Sequence, residues 1–358
     1  MLKTGSCDFL SDAETKDMTG RLLLPAMFNM HCHLGENMFA HIGGNDWNLL
    51  KYLDYTEKFH QQHTQTETQQ QWKQSAANTI CENLKNGVFG FCAARSAEPA
   101  FQFGMDTMAG YPIMQSEKLK HYTASGMNGF LEYVRRWNTE RCSVGIFLHS
   151  LYTNTEETLS LVEQMMQQAE FLTVHISEDA ASRKKEQEQF GISPVEVLQK
   201  YHLLKKNTIL VHGGLLSERE LYAIAESSAL LAVCPVSNLF LHTRIPDIYQ
   251  LNRLGIPWCI GTDGLGTGRT FSMFQQALCL KDIYPQLTFQ ELFCTMTVVP
   301  ARFYPRCHYT GKIESGTVSH WLVLNENRTD AEAVLKDVFT GKINYSLFIG
   351  GEQYVYST

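Results

Sequence analysis

Eight short apolar runs alternate with longer polar, helix-patterned segments along this 358-residue chain. The runs are RLLLPAMFNM, GVFGFCAA, AGYPIM, CSVGIFLH, EFLTVHIS, NTILVHG, ALLAVCPV and IPWCIGTD. Between them lie segments such as TQTETQQQWKQSAANTICENLKN, TEETLSLVEQMMQQA and SERELYAIAESS. Strand then helix, repeated eight times, predicts an α/β fold of the (β/α)8, TIM-like barrel type. After the eighth run come a helical stretch, TFQELFCTMTVVPARFY, and a change of texture. Residues 311–358 read as turns and short strands: GKIESGT, HWLVLN, DVFTG, SLFIGGEQYVYS. The expected organisation is a barrel over residues 21–308 with a small, reduced β-sandwich appendage formed mainly by the C-terminus. Residues 1–20 and 309–358 would supply its two parts.

Composition narrows the function. A net charge of −7 argues against a nucleic-acid binder, which needs a basic face. No stretch approaches the ~20 apolar residues of a membrane span. The segment MLKTGSCDFLSDAETKD has no apolar core of signal-peptide length. The expectation is a soluble, cytoplasmic protein with neither nucleic-acid nor membrane partners. Ten cysteines occur without a CxxC pair, several inside apolar runs, which reads as buried, reduced thiols.

Polar residues gather at the C-terminal ends of the apolar runs. The first ends in His31 and His33, the fourth in His149, the fifth in His175, the sixth in His212 and the eighth in Asp263. In a (β/α)8 barrel these ends surround the active-site mouth. Strand side chains repeat with period two, so His31 and His33 point to one side and can grip one ion. A lone histidine at a strand end is commonly just a satisfied polar residue. Four strand ends carrying histidine, with an aspartate on the eighth, point instead to a metal, and imidazole with carboxylate suits Zn²⁺ or Fe²⁺. His60, His63, His121 and His202 fall on helical or loop stretches and read as surface residues. His41 and His242 follow the first and seventh runs, where they could face substrate, but exposure is the expected reading.

The segments NMHCHL, LHSLYT, TVHISED, GISPVEVLQKYHLL, ILVHGG, CPVSN and GTDG occur in one order across residues 22–316. In text, order and spacing the chain resembles the amidohydrolase superfamily, in the branch of adenosine, cytosine and S-adenosylhomocysteine deaminases and triazine hydrolases. The resemblance implies one catalytic divalent metal, zinc before iron, held by His31, His33, His175 and Asp263. It implies that His212 holds and helps deprotonate the attacking water and that Glu178 carries the proton. His149 would contact substrate, with Ser237 and Asn238 beside the site. The chemistry is coherent: a metal brings the ionisation of water towards neutral pH. Asp263 can accept the released proton, and Glu178 can protonate a ring nitrogen so that the ring carbon accepts hydroxide. The fourth run carries no lysine of the kind that bridges two metals in binuclear members, which favours a single ion.

The implied function is a metal-dependent aminohydrolase, a deaminase acting on a small heterocycle such as a purine, pterin, pyrimidine or nucleoside derivative. A triazine-hydrolase-like loss of chloride or alkylamine is the alternative, and a non-catalytic metal-binding scaffold the second. Trp47, Phe101 and Phe103 could stack on a flat ring or simply pack. Arg95 could meet an anionic substituent or form a structural ion pair. Family resemblance also suggests a homodimer. Two departures stand out: only thirty residues precede His31 where relatives carry more, and His320 stands in GKIESGTVSH where the family has aspartate. The first implies the reduced appendage and the second altered packing.

Overall fold

The computed structural model describes residues 16–43, 47–115, 126–304, 306, 308–317 and 320–354. Fourteen strands occur among them: β1 (Leu22–Pro25), β2 (Met27–Asn29), β3 (Cys32–His33), β4 (Val88–Ala94), β5 (Asp106–Ile113), β6 (Cys142–Ser150) and β7 (Leu172–Ile176); then β8 (Thr208–His212), β9 (Leu230–Val233), β10 (Trp258–Ile260), β11 (Asp263–Gly264), β12 (Trp321–Leu324), β13 (Tyr345–Ile349) and β14 (Glu352–Gln353). Eight of them form one parallel sheet in the order β2-β4-β5-β6-β7-β8-β9-β10. Each corresponds to one of the eight apolar runs. The barrel is closed by a parallel pairing of β3 with β11, Cys32 opposite Asp263 and His33 opposite Gly264. Asn29 reinforces this seam by donating to Thr262 Oγ1 (2.8 Å) and accepting from the Thr262 amide (3.2 Å). Strands such as β7 and β8 are buried at every position, because helices cover one face and barrel side chains fill the other. Several of the covering helices start with reciprocal capping boxes: Thr64–Glu67, Ser193–Glu196, Ser217–Glu220 and Thr288–Glu291.

The first apolar run is not one strand. Leu22–Pro25 pairs antiparallel with β12, and only Met27–Asn29 enters the barrel. The break falls at Pro25. β1 is the edge of a second sheet, ordered β1-β12-β13-β14, and an edge tolerates a residue without an N–H. After it the Ala26 amide binds the His320 carbonyl (3.0 Å) and the Met27 amide turns to the Gly87 carbonyl (3.0 Å). This antiparallel sheet is the appendage. It also includes a helix where turns and strands were expected: DVFTG does not form a strand, because its Asp-Val-Phe ends the helix Ala331–Phe339. Asp330 caps it, and Val334, Leu335, Val338 and Phe339 form its buried helical stripe. Phe339 packs against Phe274, Phe289 and Phe293 of the barrel's helices. Of the expected N-terminal part, residues 1–15 lie outside the described residues. Lys16 pairs with Glu352 (2.9 Å) at the free end of the sheet.

His320 joins appendage to barrel. Its Nδ1 accepts the Gly350 amide (3.0 Å) and its Nε2 lies 3.5 Å from Asp106 Oδ2 at the start of β5. Arg141 Nε donates to the other oxygen (2.6 Å). Burial alone would raise the Asp106 carboxyl, but His320 and Arg141 outweigh it and hold the group below its usual range. His320→Ala should therefore cost about 1–3 kcal/mol in urea unfolding, the worth of a polar partner removed from a buried ionised group. A carboxyl with a lowered folded-state value stabilises above its unfolded value of 3.8 and loses that as pH falls through the folded one. The deficit should thus be full near neutral pH and fade in strong acid. An unchanged midpoint near neutral pH would show that this junction contributes nothing.

Candidate metal centre and active site

The polar residues at the strand ends converge. His31 and His33 follow β2, His175 is in β7, and Asp263 opens β11. One donor atom from each lies within 4.8 Å of all the others. His175 Nε2 is 3.2 Å from His33 Nε2 and 3.3 Å from His31 Nε2. Asp263 Oδ1 is 3.5 Å from His31 Nε2 and 3.3 Å from His33 Nε2. Four donors so close have the chemistry and spacing of a tetrahedral cation site.

Their outer atoms are tied so that the inner atoms stay available. His175 Nδ1 donates to the His149 carbonyl (2.6 Å), which leaves the Nε2 lone pair facing inward. His33 Nδ1 lies 3.4 Å from Glu36 Oε1. Asp263 Oδ2 accepts from Ser237 Oγ (2.5 Å) and Thr267 Oγ1 (2.7 Å), which turns Oδ1 to the histidines. Burial holds the His31 imidazole down to about 4 and pushes His175 well below the ordinary value, so both present neutral nitrogens at working pH. His212 and Asp263 take left-handed backbone, φ 72° and 61°, as their strands break into the mouth.

His212 and Glu178 stand beside this cluster, His212 Nε2 3.7 Å from Glu178 Oε1. Both are buried. Burial first, then the charges of Asp263, Asp179 and Glu36, pushes the Glu178 carboxyl well above its ordinary range. The stretch HISE works locally because Asp179, next in line, caps the helix Ala180–Phe190 through the Ala181 and Ser182 amides. His149 borders the same cavity, and burial brings its imidazole to about 3.

The inner cavity is lined by His33, His149, His175, Glu178, His212 and Asp263 among others. A second cavity shares His33, Glu36 and His149 with it and runs along Trp72, Phe147 and Ile113. Arg95 lines the second cavity. Asn238 is fully buried behind the centre and donates to Thr243 Oγ1 (2.8 Å). Trp47 is not brought to either cavity: it packs edge-on against Tyr55, ring centres 6.0 Å apart. Phe101 packs at a tilt against Trp137, ring centres 5.5 Å apart. Of the histidines read as surface residues, His202 pairs with Glu163 (2.7 Å) and His63 stacks on Phe59 (4.2 Å). His121 and the side chain of His60 lie outside the described residues.

Sequence reasoning missed Glu36 and Tyr52. Tyr52 Oη donates to Glu36 Oε2 (2.7 Å), so the carboxylate that faces His33 is itself held. The neighbouring backbone is shaped to admit it: a Cβ on Gly264 would lie 2.0 Å from Glu36 Oε2. The available signal was spacing, since Glu36 follows His33 by three residues in HLGE. Glu36→Ala should weaken divalent-metal affinity by about 10–100-fold, the usual worth of a group that orients a ligand. Competition titration with a chelating dye reads this, and an unchanged affinity would make Glu36 a bystander.

Compared with known proteins, residues 22–351 match the model of the Amidohydrolase family. The chain belongs to the amidohydrolase family. It is 28% identical over 274 residues to a 5-methylthioadenosine/S-adenosylhomocysteine deaminase of Archaeoglobus fulgidus, an alignment covering 73% of this chain and 64% of that relative. The chain thus spans just under two thirds of that relative's length. Among solved structures, this amidohydrolase resembles a zinc-bound adenosine deaminase from Xanthomonas campestris, with a TM-score of 0.80 and 20% identity, over 93% of this chain and 80% of that one. It equally resembles a zinc complex of an atrazine chlorohydrolase variant from Arthrobacter aurescens, with a TM-score of 0.80 and 15% identity, over 94% and 84% of the two chains. At such identities these structural likenesses establish the fold.

Proposed function

We propose that this amidohydrolase is a deaminase with a single catalytic zinc: it releases ammonia from an amino-substituted heterocycle, with adenine nucleosides such as 5′-methylthioadenosine as the first candidates. The observation that carries the reading is the buried Glu178 carboxyl next to His212 and the four converging donors. A hydrolase that expels a good leaving group has less need of such an acid.

His31, His33, His175 and Asp263 would hold the ion. When bound, it supplies polarisation that brings water ionisation towards neutral pH. The remaining steps belong to the chain. Asp263, its Oδ2 fixed by Ser237 and Thr267, orients the attacking water and takes its proton. His212, held at the end of β8, confines that water on one side. Glu178 enters the cycle protonated and gives its proton to the ring nitrogen beside the reacting carbon, which drains charge from the ring as the new C–O bond forms. As the C–N bond breaks, the amine leaves with the proton that Asp263 took, and the new hydroxyl returns a proton to Glu178 as it becomes a carbonyl. The neighbouring apolar cavity, with Trp72, Phe147 and Ile113, offers room for a substituent on the ring. Named substrates and zinc enter from the relatives, whose own activities and ions they are.

The test is ammonia release from adenine nucleosides, pterins, pyrimidines and aminotriazines by protein loaded with one equivalent of Zn²⁺. Turnover of a nucleoside with kcat/KM in the enzymatic range, above about 10⁴ M⁻¹s⁻¹, is the expected result. Metal-loaded protein that yields chloride from a chlorotriazine and no ammonia from any compound would replace this reading.

A further inference from the structure

The helix that follows Glu178 carries a second buried acid with no role in the chemistry above. Glu178, Ser182 and Glu186 succeed one another at intervals of four residues, and all three line the inner cavity. That spacing places Ser182 and Glu186 on one helical face, so they form a polar track running away from the metal centre. Within this helix Glu186 lies about 6 Å along the axis from Ser182 at 1.5 Å per residue. It is 2% exposed.

A buried acid is costly unless something compensates it. The Tyr152 main-chain amide donates to this carboxylate, but Oε2 has no hydrogen-bond partner. The neighbouring cations have other partners: Arg183 reaches Ser177 Oγ (2.6 Å) and both oxygens of Glu220 (3.2 and 2.7 Å), Lys184 pairs with Glu188 (3.7 Å), and Lys185 lies over the Tyr152 ring (5.5 Å). Burial accordingly pushes Glu186 up to about 8, despite Tyr152 and Arg183. Packing alone gives no reason for an acid here, since an apolar residue would fill the wall without an orphaned oxygen. The position does give one. A substrate whose ring nitrogen meets Glu178 extends its next group along the same track, where Glu186 Oε2 waits for a donor.

We propose that Glu186 is a specificity residue that hydrogen-bonds a hydroxyl-bearing arm of the substrate, so that the protein selects nucleosides over free bases. The inference rests on the deaminase reading and extends it to the part of the substrate remote from the reacting carbon. Glu186 accepts from, or when protonated also donates to, a sugar hydroxyl, and Ser182 continues the polar wall towards Glu178.

The experiment compares adenosine with adenine on the wild type, Glu186→Ala and Glu186→Gln. Ammonia release gives kcat and KM, and isothermal calorimetry gives binding of the same two compounds to the zinc-loaded proteins. The wild type should favour adenosine by at least tenfold in kcat/KM and in affinity. Glu186→Ala should reduce that preference about tenfold, chiefly through KM, and Glu186→Gln should restore most of it. Alanine leaves space for a water on the Tyr152 amide, and zinc content in each variant reports an intact centre. A wild type without preference overturns the proposal, as does a Glu186→Ala that keeps the full preference or loses both compounds alike. If no compound releases ammonia, the deaminase reading fails, and the calorimetric preference by itself supports or overturns the assignment of Glu186.

Discussion

Glu178→Gln should leave the protein folded and metal-loaded while lowering kcat by about 10²–10⁴-fold, the usual worth of a positioned acid–base. The expectation rests on three observations. Glu178 is buried in the wall of the cavity. It lies beside His212 and outside the group of four converging donors. Its surroundings, burial first and then Asp263, Asp179 and Glu36, favour the protonated form. Glutamine has the same shape and keeps a hydrogen-bond donor but has no proton to transfer. KM should change much less than kcat, because the proton moves only as the barrier is crossed. Kinetics of ammonia release with metal analysis on the same sample decide the matter. A variant within a few-fold of wild-type kcat would remove Glu178 from the chemistry.

His175→Ala should abolish both metal and turnover. His175 Nε2 is the donor closest to both His31 and His33, at 3.3 and 3.2 Å, and its other nitrogen is pinned to the His149 carbonyl. Without it three donors remain, and His31 and His33 face a gap that water fills. Loss of a direct ligand should exceed the 10–100-fold cost typical of an orienting group. Metal content after dialysis should fall to background, and added zinc should not restore activity at concentrations that saturate the wild type. Near-stoichiometric zinc in this variant would refute the ligand assignment. The pair of variants separates two roles that a loss of activity by itself confuses: one empties the site, the other leaves it full and inert.

The barrel was legible because its physics is local. A parallel strand between helices and a packed interior must be apolar on both faces, so each appears as a short unbroken run such as TILVH or LTVHI. The positions of His31, His33, His175, His212 and Asp263 followed from where those runs stop. Elements whose character depends on distant partners were harder to read. LLLP and MFN look like one run, yet Pro25 ends a strand of the appendage that pairs with Trp321–Leu324, almost 300 residues away. AGYPIM was visible, but β5 begins earlier, at Asp106, a charged residue that a strand admits only because Arg141 and His320 meet it. DVFTG resembled a strand because its apolar residues were taken without Val334 and Leu335, which complete a helical stripe. Trp47 and Arg95 were matters of loop conformation, and loops carry little periodic signal.

Sequence by itself determined the α/β class, the count of eight barrel strands, and the side chains delivered to the barrel mouth. Those follow from periodicity and from the rule that parallel strands point their C-terminal ends one way. Tertiary structure decided how these side chains are aimed. It set which oxygen of Asp263 turns inward, through Ser237 and Thr267 from two other segments. It brought Tyr52 to Glu36 and Glu36 to His33. It placed Glu186 in the cavity wall with an unpartnered oxygen. Such choices depend on hydrogen bonds and burial between segments far apart in the chain, and no local pattern encodes them.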